Sequence, residues 1–336
     1  MKVVVFGATG QLGCYSALAL KKNGHEVVAV GRRESDGGFF ADNDITYIGG
    51  VTLEIGACFD KLPTDVDAIV NMAGTMPAHA NMSPMPYVQS IVVGIVNLAE
   101  WMRVKTHAKR IVFNTTPSDV CEFFGRPIPI DDDAPRSFPK DGGDHAVYAI
   151  CKSAAVDILE HYKYAYGFKP CVFRHLTVYG WHPDAYYSVN GVRKVLPWRQ
   201  IMRKCIAGDD VEVWGDSTYK KELLYIDDFT AAIVKAVEGD VCGLFNLSAI
   251  KHYTLEDQIQ GMIDVFSPKD KPSRKIYCPD KPSTPQNILS PDKAKRVLGW
   301  SAQITWHDAC KRMRDEILKN RFEKIWGSVD PSEVIS

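Results

Sequence analysis

The chain has almost no net charge: 40 Lys and Arg stand against 41 Asp and Glu over 336 residues. That balance leaves no basic excess for nucleic acid or an anionic membrane surface, so neither is expected as a partner. No apolar run approaches the ~20 residues that a membrane span requires. The opening Met1-Lys-Val-Val-Val-Phe-Gly7 is too short an apolar stretch for a secretory leader, and no small-residue cleavage site follows it. The 9 Cys are odd in number, scattered and free of any Cys-x-x-Cys, which excludes a disulfide framework or a zinc site of the usual spacing. No metal site is expected, and the thiols read as buried and reduced, which places the chain in the cytoplasm. Internal repeats and low-complexity linkers are missing too. What remains is an ordinary globular composition, 46% apolar and 24% charged, in a chain long enough for one large or two modest domains.

Residues 2–6 form a short β-branched run of the kind found in a central parallel strand. Gly7-Ala-Thr9-Gly10-Gln11-Leu12-Gly13 follows directly, then a helix-like segment to about Lys22 and a second strand over 24–30. Strand, glycine-rich turn, helix and strand within about thirty residues is the context in which such glycines hold a dinucleotide. Small residues let the backbone approach a pyrophosphate, and the helix N-terminus favours its charge. A carboxylate that would accept from the adenosine ribose is missing at the end of the second strand, where Gly31-Arg32-Arg33 stands instead. Two guanidiniums suit a 2′-phosphate, so the cofactor is NAD or NADP, with Arg32 and Arg33 favouring NADP.

Near the middle of the chain, His145-Ala-Val-Tyr148-Ala-Ile-Cys-Lys152 reads as the start of a helix, Ala-rich and free of Gly and Pro. Tyr148 and Lys152 are then one turn apart on one face. An ammonium beside a phenol favours the phenolate, lowering a pKa that is about 10 in the free side chain. Such a Tyr can exchange a proton with a substrate hydroxyl near neutral pH. A second Tyr-x-x-x-Lys, from Tyr277 to Lys281, contains Pro279 and cannot form a helix of that register.

The Gly-x-x-Gly-x-x-Gly spacing, with Tyr148 and Lys152 downstream, resembles the short-chain dehydrogenase/reductase superfamily. Length and later motifs are similar to its extended branch, the sugar-nucleotide epimerases, dehydratases and ketoreductases, over roughly residues 2–310. By this resemblance, Gly7, Thr9, Gly10, Gln11, Leu12, Gly13, Arg32, Arg33, Val51, Met72, Ala73, Gly74, Tyr148 and Lys152 hold the dinucleotide. Asn71-Met72-Ala73-Gly74 is similar to the family turn over the pyrophosphate and ribose. Gly50 replaces an Asp that relatives use for the adenine amine, which leaves adenine to backbone contacts. Ile91, with Ser90 adjacent, stands where an Asn is common.

The same resemblance makes Thr116, Tyr148 and Lys152 the catalytic residues. Thr116 follows a strand over 110–114 and orients the reacting oxygen, with Thr115 and Ser118 as alternatives of register. Tyr148 is the acid/base, and Lys152 tunes it and holds the nicotinamide ribose. Dehydratases carry Asp-Glu after this Thr, and Pro117-Ser118 here argues against dehydration. Substrate contacts are implied for Thr75, Thr116, Thr177 (in place of an Asn) and Lys221 (in place of an Arg). Asp227 and Asp228 open a helix and read as stabilisers of its N-terminus. Loops over 75–79, 139–144 and 181–192 would choose the sugar. Beyond about Arg321 there is no motif.

The implied fold is α/β: a doubly wound parallel sheet (Rossmann) with a smaller C-terminal substrate-binding lobe. Residues 1–176 form the dinucleotide domain, with 225–250 returning to it; 177–224 and 251–325 form the lobe, and 326–336 a tail. The small-molecule substrate is a nucleotide-sugar, and a homodimer through helices at about 86–104 and 145–165 is expected by analogy. The implied activity is epimerisation through a transient keto-sugar. A ketoreductase using NADPH and a non-catalytic NAD(P)-binding sensor or scaffold remain open beside it.

Overall fold

The computed structural model describes residues 1–77, 83–140, 143–189, 192–283 and 285–335. The strands β1 (Lys2–Phe6), β2 (Glu26–Val30), β3 (Thr46–Ile48), β4 (Ala68–Asn71), β5 (Arg110–Asn114), β6 (Lys169–Arg174) and β7 (Gly243–Asn246) form one sheet in the order β7-β6-β5-β4-β1-β2-β3. Every neighbouring pair is parallel, with Val4 opposite Val28 on one side and Ile69 on the other. Alternation along β1 divides the core: Val3 and Val5 join one apolar cluster, Val4 and Phe6 the other. Both faces are therefore covered, as a parallel sheet requires.

Helices α1 (Gln11–Lys22) and α5 (Ile226–Glu238) pack together on the face of Val3. On the opposite face, α2 (Gly94–Lys105) packs with α3 (Asp144–Tyr166). The helix leading into α2 contains a π turn at Val88–Val93, which adds a residue to the turn and shifts the register of what precedes it. α3 runs for 23 residues without Gly or Pro and ends at Gly167, whose φ of 69° completes a left-handed cap.

The later segments build a lobe beyond the strand C-termini from α4 (Pro197–Ala207), α6 (Leu255–Phe266) and α7 (Trp306–Lys319). Short ribbons accompany them, Val211–Trp214 with Lys275–Cys278 and Lys220–Lys221 with Tyr253–Thr254. The apolar cluster on the α1 face continues unbroken into Met202, Met262, Trp300 and Trp306 of this lobe. Asp227 and Asp228, expected from sequence to stabilise the N-terminus of α5, are bonded to later segments of the chain. Asp228 accepts from the backbone of Gln303 and Ile304 (2.9 and 3.0 Å), and Asp227 pairs with Arg312.

Candidate functional site

A cavity of about 980 Å³ opens at the C-terminal ends of β1, β4 and β5, where open α/β sheets take their ligands. Its wall contains Gly7, Thr9, Gly10, Gln11, Leu12, Gly13, Arg32, Arg33, Val51, Met72, Ala73, Gly74, Thr75, Thr116, Tyr148, Lys152 and Thr177. Lys221 is the exception. It is not among the lining residues; it pairs with Tyr253 in a two-stranded ribbon, and burial lowers its pKa.

The glycine-rich turn fits a dinucleotide. Gly7 has φ +74°, and a Cβ there would lie 2.8 Å from the Ala73 nitrogen and the Met72 carbonyl carbon. A Cβ on Gly13 would meet the Gly7 oxygen at 2.2 Å. These close approaches press the two glycine-bearing turns together and leave the first N–H groups of α1 without helix carbonyls. No acidic residue stands in that first turn to compete with a phosphate. A side chain at Gly31 would clash with the Tyr47 hydroxyl at 2.7 Å and Thr9 Cγ2 at 3.0 Å. Those neighbours are side-chain ends, which any residue larger than Gly would have to displace. Gly50 also has its reason: the Glu34 carboxylate occupies the volume a Cβ there would need, with Oε1 at 2.5 Å.

At the other end, Lys152 is fully buried, and its ammonium donates to the Asn114 carbonyl (2.9 Å) beneath the Phe113 ring, 4.3 Å from its centroid. Burial lowers its pKa to about 7. The Tyr148 hydroxyl donates to the Met76 sulfur (3.6 Å), a weak acceptor. Burial, with Tyr87 nearby, pushes the Tyr148 pKa upward, not downward as the i, i+4 spacing suggests. The reason is geometric. The two residues share a helix face, but the ammonium is tied back to β5, 5.8 Å from the centre of the Tyr148 ring.

Thr116 Oγ1 caps the turn Pro117–Asp119 by accepting from the Ser118 nitrogen (3.2 Å), so its O–H can still donate. Thr115 and Ser118 line the same cavity. The nearest acid in sequence, Asp119, is held by the Arg174 guanidinium (2.9 and 3.1 Å) in a buried bidentate pair.

A family model, the NAD dependent epimerase/dehydratase family, matches residues 3–247, most of the chain. The chain belongs to this family. Relatives include UDP-glucuronic acid decarboxylase 1 of Arabidopsis thaliana, 22% identical over 93% of this chain and 69% of its own length. UDP-glucose 4-epimerase of Corynebacterium glutamicum is 23% identical over 91% of this chain and 92% of its own. Among solved structures, UDP-glucose 4-epimerase of Thermotoga maritima superposes with a TM-score of 0.75 at 20% identity, covering 95% of this chain and 99% of that one. UDP-N-acetylglucosamine 4-epimerase of Methanobrevibacter ruminantium gives 0.74 at 16% identity, covering 95% and 98%. At such identities these likenesses establish the fold.

Several residues of this family member escaped the sequence reading. Ser90, beside the departure at Ile91, is carried inward by the π turn; its Oγ accepts from the Thr75 nitrogen (3.0 Å) and donates to the Pro86 carbonyl (2.7 Å). A π turn leaves no clear mark in one sequence. His145, one turn before Tyr148, stands exposed on the cavity wall, and its i−3 position was a usable signal. His175 and His182 also line the cavity, both held near pKa 4 and neutral by burial. The loops expected to choose the sugar lie partly outside the described residues, at 78–79, 141–142 and 190–191. No group of metal-ligating side chains occurs among the described residues, and none of their helices is long and apolar enough to cross a membrane.

Proposed function

We propose that this protein is a nucleotide-sugar epimerase working through a transient keto-sugar. The observation that carries this reading is one cavity lined at one end by the glycine-rich turn and at the other by Thr116, Tyr148 and Lys152. When bound, the nicotinamide supplies a hydride acceptor and donor. Tyr148 exchanges the proton with the sugar oxygen: as the phenolate it takes the hydroxyl proton, and as the phenol it donates to the keto oxygen. Its present partner, the Met76 sulfur, is weak enough for a hydroxyl to displace. Thr116 donates to the same oxygen through its free O–H, and the buried Lys152 charge stabilises a developing alkoxide. Asp119, the carboxylate nearest Thr116 in sequence, is committed to Arg174 and so does not serve to protonate a leaving hydroxide.

The matched structures and relatives, among them UDP-sugar epimerases and a decarboxylase, support a nucleotide-sugar as the substrate class. One observation favours a second reading, an NADPH-dependent ketoreductase. No carboxylate stands at Gly31, and Arg32 and Arg33 line the adenosine end of the cavity. Identification of the dinucleotide released on denaturing the purified protein separates the two. Stoichiometric NAD points to epimerisation, tested next with UDP-sugars. An empty protein that prefers NADPH points to reduction of keto-sugar nucleotides. In either assay Tyr148→Phe should lose about 10²–10⁴-fold in turnover, and unchanged turnover would leave only a sensor or scaffold.

The homodimer belongs to this proposal. Val96 and Val104 of α2 and Ile150, Tyr164 and Tyr166 of α3 are exposed on neighbouring helices. A two-fold partner would cover them.

A further inference from the structure

The segment after Arg321 carries no motif and lies beyond the stretch matched by the family model, yet it is docked against the glycine-rich turn. Phe322 and Trp326 stack at 4.4 Å, and both rings pack on Tyr15 of α1 (5.0 and 6.1 Å). Trp326 Nε1 donates to the Thr9 carbonyl (2.9 Å). The Ile325 carbonyl accepts from Arg33 Nη1 (2.7 Å). Further on, Glu333 is fully buried between Arg199 and Arg203 of α4. Arg199 in turn donates to the His182 carbonyl (2.6 Å), and the His182 ring lies 4.4 Å from Trp326.

The contact at Thr9 has a specific consequence. The Thr9–Gly10 peptide is planar, so holding its oxygen fixes its N–H as well. That N–H donates to the Gly7 carbonyl (3.0 Å), and the plane is pinned from both ends. The next N–H groups, at the start of α1, are thereby aimed at the place a phosphate would take. On the adenosine side, the Ile325 carbonyl engages one N–H of Arg33 and leaves the others to a ligand.

We propose that residues 322–333 are part of the dinucleotide site, with Trp326 as a positioning residue for the phosphate-binding turn and the Ile325 carbonyl as the group that aims Arg33. This rests on the dinucleotide reading above. The buried Glu333, held by Arg199 and Arg203 of α4, anchors the far end of the segment.

The test is Trp326→Phe in the full chain, which keeps a ring and removes the N–H donor. NADH and NADPH dissociation constants and off-rates are read by nucleotide fluorescence. One lost hydrogen bond predicts weakening by about fivefold, with the Michaelis constant of the sugar substrate unchanged. Met313→Ala, a buried truncation in α7, is the control for general loosening. Unchanged dinucleotide affinity in folded Trp326→Phe overturns the proposal, as does an equal effect of Met313→Ala. A second measurement needs no variant: saturating the emptied wild-type chain with whichever of NAD and NADPH it binds should slow hydrogen exchange across 322–327, and no change there also overturns it. A wild-type protein that binds neither dinucleotide would sink the hydride-transfer reading first and this inference with it.

Discussion

Lys152 offers a direct test of the electrostatics at the site, because its charge is held at a cost to the fold. A lysine whose pKa falls from 10.5 to about 7 on burial carries a protonation penalty of about 5 kcal/mol at pH 6. The sign follows from proton counting. Between about 7 and 10.5 the unfolded chain binds this proton and the folded chain does not, so stability rises with pH across that window. Lys152→Met removes the penalty and leaves a sulfur against the Phe113 ring, but orphans the Asn114 carbonyl, a loss of about 1–3 kcal/mol. The net expectation at pH 6 is stabilisation by about 3 kcal/mol, a rise in Tm of about 4 °C, together with loss of turnover. By pH 10 the remaining penalty is about 1 kcal/mol, so the advantage should vanish or reverse. Paired calorimetric melts of wild type and variant at several pH values read the difference directly. A variant that melts below wild type at pH 6, or a gap that does not close as pH rises, would refute the reasoning.

Gly13→Ala places a Cβ 2.2 Å from the Gly7 oxygen, so α1 or the turn must move. Dinucleotide affinity measured by calorimetry should fall more than about tenfold, the equivalent of ~1.4 kcal/mol. Glu333→Gln removes a buried negative charge shared by Arg199 and Arg203. Denaturant unfolding should show a loss of about 3 kcal/mol, and a loss under about 1 would mean the pair is dispensable. Ile150→Asp puts a charge on an exposed apolar face of α3 and should convert a dimer to a monomer in light scattering. A wild-type chain that is already monomeric would remove the dimer from the proposal.

What could be read without coordinates was local. The β-branched run at 2–6, the glycines at 7, 10 and 13 and the Gly-free helix around Tyr148 declare strand, turn and helix through short-range sterics and pattern. The parallel sheet follows from those elements, because strands joined through helices must run the same way. The spacing of Tyr148 and Lys152 was legible for the same reason, but not where the ammonium points. That was decided by Asn114, 38 residues away in sequence. Likewise, Ser90 came to Thr75 through a π turn.

The C-terminal segment marks the boundary most clearly. Its Trp, Phe and Glu residues have no pattern that distinguishes them from any exposed tail, and Trp326 meets Thr9 across 317 positions of sequence. Sequence by itself determined the elements, their order and the chemistry gathered at the strand ends. Tertiary structure alone decided which way each charge faces, which carboxylates are committed to a partner, and that the last turn of the chain lies against the first. Those outcomes depend on packing between residues far apart in the chain, which short-range propensity does not encode.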